Sequence, residues 1–112
     1  IADYYMELLR HEEQEKIICM MLNTKNHLLG DTVLTTGTVN SSLLSPRELF
    51  LEALRFHAVH IILIHNHPSG DASPSEEDLQ ITRRIQKAGE ILGITLLDHI
   101  IIGDHVFTSL LG

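Results

Sequence analysis

Apolar and polar positions change rhythm several times along the chain, and each change predicts an element. Residues 2–13 read as a helix, with Met6, Leu8 and Leu9 on or near one face. Ile17 to Leu22 is a short apolar run between polar flanks, which suits a buried strand. Asn23-Thr24-Lys25-Asn26 is a turn signal, and the Leu-, Val- and Thr-rich stretch from His27 to Thr38 predicts an antiparallel partner strand. Ser45-Pro46-Arg47-Glu48 reads as a helix start with a capping box, and the helix is expected to run to about His57, burying Leu49, Phe50, Ala53 and Leu54. Ala58 to Ile64 is almost continuously apolar, as a central strand covered on both faces should be. A loop is expected from Asn66 to Pro74. Ser75-Glu76-Glu77-Asp78 then opens a long helix to about Leu92, with Leu79, Ile81, Ile85, Ala88 and Leu92 inward and Gly93 as its stop. Thr95 to Ile102 and Val106 to Leu110 read as closing strands around a Gly103-Asp104 turn. The order α-β-β-α-β-α-β-β predicts an α/β fold, a mixed sheet with helices packed on its faces.

Composition narrows the function classes. With 112 residues the chain is one domain. Its net charge of −7 argues against direct nucleic-acid binding by this piece, because phosphate contacts need clustered Lys and Arg. No apolar run approaches the roughly 18 residues of a membrane span. The single cysteine, Cys19, excludes an internal disulfide and a cysteine-based zinc knuckle, and it fits a reducing, cytoplasmic compartment. Eight histidines stand beside that one cysteine, so a metal site here must be built from His and carboxylates. The start at Ile1 rather than Met leads us to expect a piece of a longer protein.

Candidate chemistry concentrates in 65–78, HNHPSGDASPSEED. His65 and His67 are one residue apart at a strand end, so their side chains share a face with Cα atoms about 6–7 Å apart. Pro68 turns the chain, and Asp78, in the first turn of the next helix, can bring a carboxylate back to the imidazoles. Two His and one carboxylate form a three-ligand catalytic zinc set that leaves a position for water. No Glu lies between the histidines, so the base that such a site needs must come from elsewhere, with Glu12, Glu13 and Glu15 as candidates. The Ser75 hydroxyl could donate to a developing oxyanion. Asp71 is first a turn residue, with substrate binding or ligand orientation as its other reading. His99 reads as a core histidine or a partner behind a ligand. Arg83 and Arg84 read as a solvated helix face. Cys19 reads as a buried small hydrophobe. No role is assigned to His11, His27, His57, His60 or His105.

The pattern His-x-His-Pro, six residues, Ser-x-x-Asp resembles the metal signature of JAMM/MPN+ metalloprotease-like domains. The segments HNHPSGDASPSEEDLQITRRI and LLDHIIIGD resemble the JAB-type domain of the RadC family, and the likeness runs from about Leu8 to Leu110. It implies a three-layer α/β/α architecture with a mixed central sheet, JAB/MPN-like and related to the cytidine-deaminase architecture. It further implies His65, His67 and Asp78 as zinc ligands, with Ser75 stabilising the tetrahedral intermediate. The family's general-base glutamate precedes the first apolar strand. EKIICMML matches that position, which makes Glu15 the base and Glu13 the fallback. JAMM proteases usually have Ser or Thr between the histidines. Asn66 stands there instead, as in the RadC branch, a departure that bears on substrate positioning rather than on the ligands. The family usually carries an upstream helix-hairpin-helix region, which we expect to lie outside this piece.

The resemblance implies a zinc hydrolase that cleaves an amide, peptide or isopeptide bond in a peptide or protein, with oligomeric state open. The alternative is a DNA-repair-associated interaction module without hydrolytic activity. A zinc nucleoside deaminase is set aside, because it needs Pro-Cys-x-x-Cys and only Cys19 is available. A degenerate, inactive JAMM domain is disfavoured by the presence of every ligand type, Ser75 and a suitable Glu.

Overall fold

A computed structural model describes residues 2–9, 12–36 and 44–112. Its elements are α1 (Ala2–Leu9), β1 (Lys16–Leu22), β2 (Leu28–Thr36), α2 (Pro46–Arg55), β3 (His60–Asn66), α3 (Glu76–Leu92), β4 (Thr95–Ile102) and β5 (Phe107–Ser109). The strands form a mixed sheet in the order β2-β1-β3-β4-β5. β1 is antiparallel to both β2 and β3, β3 and β4 run parallel, and β5 is antiparallel to β4. A parallel pair needs a crossover, and α3 supplies it.

Side chains alternate across the sheet and build two cores. On one face Ile17, Cys19, Met21, Ile61 and Leu63 pack with Leu49, Phe50 and Ala53 of α2 and Ile81 and Ile85 of α3. On the other, Ile18, Met20, Leu22, Ile62 and Ile64 pack beneath Tyr5 and Leu9 of α1. The molecule is therefore the expected α/β/α sandwich, with β3 at its centre.

Several expectations need correction. The first helix stops at Leu9, and residues 12–15 lie outside any helix or strand; 10 and 11, with His11, lie outside the described residues. Its inward stripe is Tyr5 and Leu9, one turn apart, whereas Leu8 is exposed. The part of the predicted second strand at 37–38 is also outside the described residues. α2 ends at Arg55 rather than His57, and Ser45 makes no side-chain cap bond, so the predicted capping box is not formed there. Leu54 and Leu92 are exposed rather than inward, and Leu79 is half-buried. For Leu54 the reason is angular: Leu49, Phe50 and Ala53 already define the buried stripe, and the next residue is rotated by about 100° from it. The last strand is shorter than predicted, Phe107–Ser109.

The third strand differs most usefully. It runs to Asn66, two residues past the apolar run, because both neighbours pair with that end: Ile17 lies opposite His65, and Ile101 and Ile102 lie beside His65 and Asn66. Pairing thus draws two polar residues into the sheet interior. α3 starts and stops as predicted, with a full Ser75/Asp78 capping box at one end and Gly93 in the left-handed region (φ 76°) at the other.

Candidate metal centre

The sheet positions His65 through its alternation with Ile61 and Leu63, which turns it toward the face covered by α3. His65 is 1% exposed, and neither ring nitrogen makes a hydrogen bond among the described residues. Its Nδ1 lies 3.2 Å from Asp78 Oδ1, and its Nε2 lies 3.9 Å from Glu15 Oε2. A buried imidazole with two nitrogens near carboxylates, yet bonded to none, is the signature of a group built to meet something else.

His67 follows directly after β3. Its amide donates to Ile102 O (2.8 Å), which ties the turn to β4. Its ring stands edge-on to that of His65, with centroids 4.8 Å apart. Nδ1 of His67 donates to the Asp71 carbonyl (2.9 Å), which leaves Nε2 as the atom able to ligate. Nε2 is 3.1 Å from Asp78 Oδ2. That hydrogen bond raises the pKa of His67 against the opposing effect of burial. The loop holding this geometry passes close to β4. Asp104 donates its amide to Gly70 O, and a Cβ on Gly103 would meet that oxygen at 2.3 Å, so Gly103 can only be glycine.

Asp78 arrives from α3 and is 2% exposed. Its Oδ2 accepts the Ser75 amide (2.8 Å), while Ser75 Oγ accepts the Asp78 amide (3.1 Å). The capping box therefore also sets the rotamer that points the carboxylate at the histidines. Burial alone would raise the pKa of Asp78, but contacts with His65 and His67 and the Ser75 amide hold it far below the usual carboxylate range. It is an anion, as a ligand must be.

Glu15, His65, His67, Pro68, Ser69, Ser75 and Asp78 line one pocket of about 230 Å³. Glu15, His65 and His67 each offer a donor atom within 4.8 Å of the others, so this cluster can bind a metal ion. Of the other candidate bases, Glu12 pairs with Lys16 (3.0 Å), and Glu13 is exposed and away from the pocket lining. Asp71 divides its work, with its carbonyl orienting His67 and its carboxylate accepting the Ser73 amide in the turn.

Sequence reasoning missed two supports and only glimpsed a third. Thr82 bonds both the Asp78 carbonyl and His99 Nδ1 at 2.8 Å, one turn along α3 from Asp78. Asn66 contacts the main chain on both sides of Glu15. The third, His99, stacks behind His65 at 5.9 Å. A polar Asp98-His99 pair inside an apolar strand, and an amide between two candidate ligands, were the available signals.

A family profile described as the RadC-like JAB domain matches residues 1–112. This chain belongs to that family. UPF0758 proteins of Bacillus cereus (strain G9842) and Bacillus anthracis (strain A0248) are each 51% identical to it over 109 residues, covering 97% of this chain and 48% of the relative. The RadC-like JAB domain thus spans about half the length of those curated relatives. Among the described residues no helix is long and apolar enough to cross a membrane.

Proposed function

We propose that this RadC-like JAB domain is a zinc-dependent hydrolase that cleaves an amide, peptide or isopeptide bond in a peptide or protein. The observation that carries the proposal is His65, buried between Glu15 and Asp78 in the lining of a pocket, with neither ring nitrogen hydrogen-bonded among the described residues. His65, His67 and Asp78 would hold the ion. Two imidazoles and a carboxylate fit zinc, and the orphaned nitrogens of His65 together with the engaged Nδ1 of His67 support that fit. Zinc, when bound, supplies Lewis acidity and makes hydroxide available near neutral pH.

The chain's own residues supply the rest. Glu15 takes the proton of the attacking water at its carboxylate and returns it to the leaving amine. The Ser75 hydroxyl, whose oxygen accepts the Asp78 amide, keeps its own proton to donate to the developing oxyanion. Asp71 and the capping box keep His67 and Asp78 in place, so little reorganisation accompanies reaction. A reducing, cytoplasmic setting fits Cys19, which is buried with its thiol pushed up to about 12 by that burial and so stays unreactive.

Metal analysis tests the proposal. The wild-type chain should carry close to one zinc, and His67→Ala should carry almost none. Hydrolysis of a mixed peptide library should need the metal and Glu15. A wild-type protein that holds no metal, and gains no hydrolytic activity when zinc is added, overturns it.

A further inference from the structure

We infer that Asn66 is the positioning residue for Glu15, a clamp that joins the histidine segment to the base. This rests on the reading of Glu15 as the base. Asn66 is the last residue of β3 and is 2% exposed. Its Oδ1 accepts the Lys16 amide (2.6 Å), and its Nδ2 donates to the Gln14 carbonyl (3.1 Å). One carboxamide therefore grips the main chain immediately before and immediately after Glu15.

The reason lies in the edge of the ladder. Main-chain pairing of β1 with β3 reaches Ile17 opposite His65 and goes no further. At the next step the Asn66 side chain takes over, because a carboxamide carries the same donor and acceptor as a peptide unit. Residues 12–15 belong to no helix or strand, and this tether fixes the main chain on both sides of Glu15. A misplacement of 1 Å in a reacting group can cost about 100-fold in rate. Serine or threonine offers a shorter reach with one proton, and aspartate accepts without donating. Asparagine is the small side chain that can fill both roles. The residue between the two histidines thus acts on the base rather than on the ligands.

The test uses the 112-residue chain labelled with carboxyl-¹³C glutamate, with the Glu15 signal assigned by its loss in Glu15→Gln. Asn66→Ala should move that signal to the position of a solvent-averaged glutamate and speed exchange of the Lys16 amide by about tenfold. Asn66→Asp keeps the acceptor, so it should retain Lys16 protection while still shifting the Glu15 signal; it also serves if the alanine variant does not fold. Tyr5→Phe is the control, since it removes a hydrogen bond to Asp31, outside the pocket that Glu15 lines. It should leave both readouts unchanged. Zinc uptake should survive in Asn66→Ala, because the histidines and Asp78 are untouched. A Glu15 signal unmoved in both Asn66 variants, or moved equally by Tyr5→Phe, overturns the inference. Absence of zinc and of hydrolysis in the wild type would instead sink the hydrolase reading, and the Glu15 signal would still decide the role of Asn66.

Discussion

At its first residue β3 carries His60, half-buried, whose Nδ1 meets Asn26 Oδ1 at 2.6 Å. Six residues after His60 the same strand ends at Asn66, next to His65; both are almost fully buried, with neither His65 ring nitrogen hydrogen-bonded among the described residues and Asn66 committed twice to main chain. The residue types are alike, and the circumstances are opposite. At the first end an amide satisfies the imidazole at the surface. At the second the amide serves the backbone, and the imidazole is left facing carboxylates. Each buried polar group left unpaired costs about 1–3 kcal/mol, so the arrangement is retained against its own destabilising effect. What separates His65 from His60 is that both its ring nitrogens are buried without a hydrogen bond among the described residues, whereas His60 has Asn26 as a partner.

Metal binding should break the symmetry between the two ends most sharply. His65→Leu and His67→Ala should each cut zinc uptake by tenfold or more, while His60→Leu leaves it at the wild-type level; equal losses in all three would dissolve the contrast. Stability should move the other way. In the metal-free protein, His65→Leu should unfold at the same urea concentration as wild type or higher. Its neighbour Ile64, fully buried in the α1-side core, should lose about 2–5 kcal/mol on truncation to alanine.

Acid should strike the site end next. His99 is fully buried behind His65, and burial pushes its pKa down to about 4. An unfolded histidine titrates near 6.5, so between pH 6.5 and 4 the unfolded chain takes up a proton that the fold refuses. Stability is therefore present above 6.5 and falls as pH drops through that window, by on the order of 3 kcal/mol. His67 works with the opposite sign and in another window. Its pKa is raised, so its contribution is complete below 6.5 and fades only as pH rises above it. Urea titrations of the metal-free protein at pH 7 and 4.5 should show the loss, and His99→Phe should flatten it. An unchanged slope in that variant would remove His99 from the account.

A smaller effect separates the two helix starts. Ser75→Ala should cost about 1 kcal/mol, because it removes a formed cap bond, and Ser45→Ala should cost close to nothing, because none is formed. The smallest is His60→Ala, expected within about 0.5 kcal/mol of wild type by urea denaturation.

Much of this was legible locally. The capping box at Ser75 and Asp78, the stop at Gly93 and the apolar strand cores depend on neighbours within a few residues, so periodicity and turn chemistry expose them. The spacing of His65, His67, Ser75 and Asp78 also lies within one strand–loop–helix unit, and the fold brings these four to one pocket. Ser45 shows the limit: the same local pattern as Ser75 produced no cap bond, because a side-chain rotamer answers to its surroundings as well as to its sequence.

The chain by itself thus determined the element order, the family and the segment that brings His65, His67, Ser75 and Asp78 to one pocket, since each is written in patterns close in sequence. Tertiary structure alone decided that β3 extends through His65 and Asn66, which follows from pairing with β1 some 50 residues earlier and with β4 some 35 later. It also decided how the acid favoured by the resemblance is held: of Glu12, Glu13 and Glu15, Glu15 lines the pocket, and Asn66 grips the chain on both sides of it. The physical reason is the same in both cases. Strand pairing and side-chain clamps join residues far apart in the chain, and a one-residue difference in register changes which side chain enters the site.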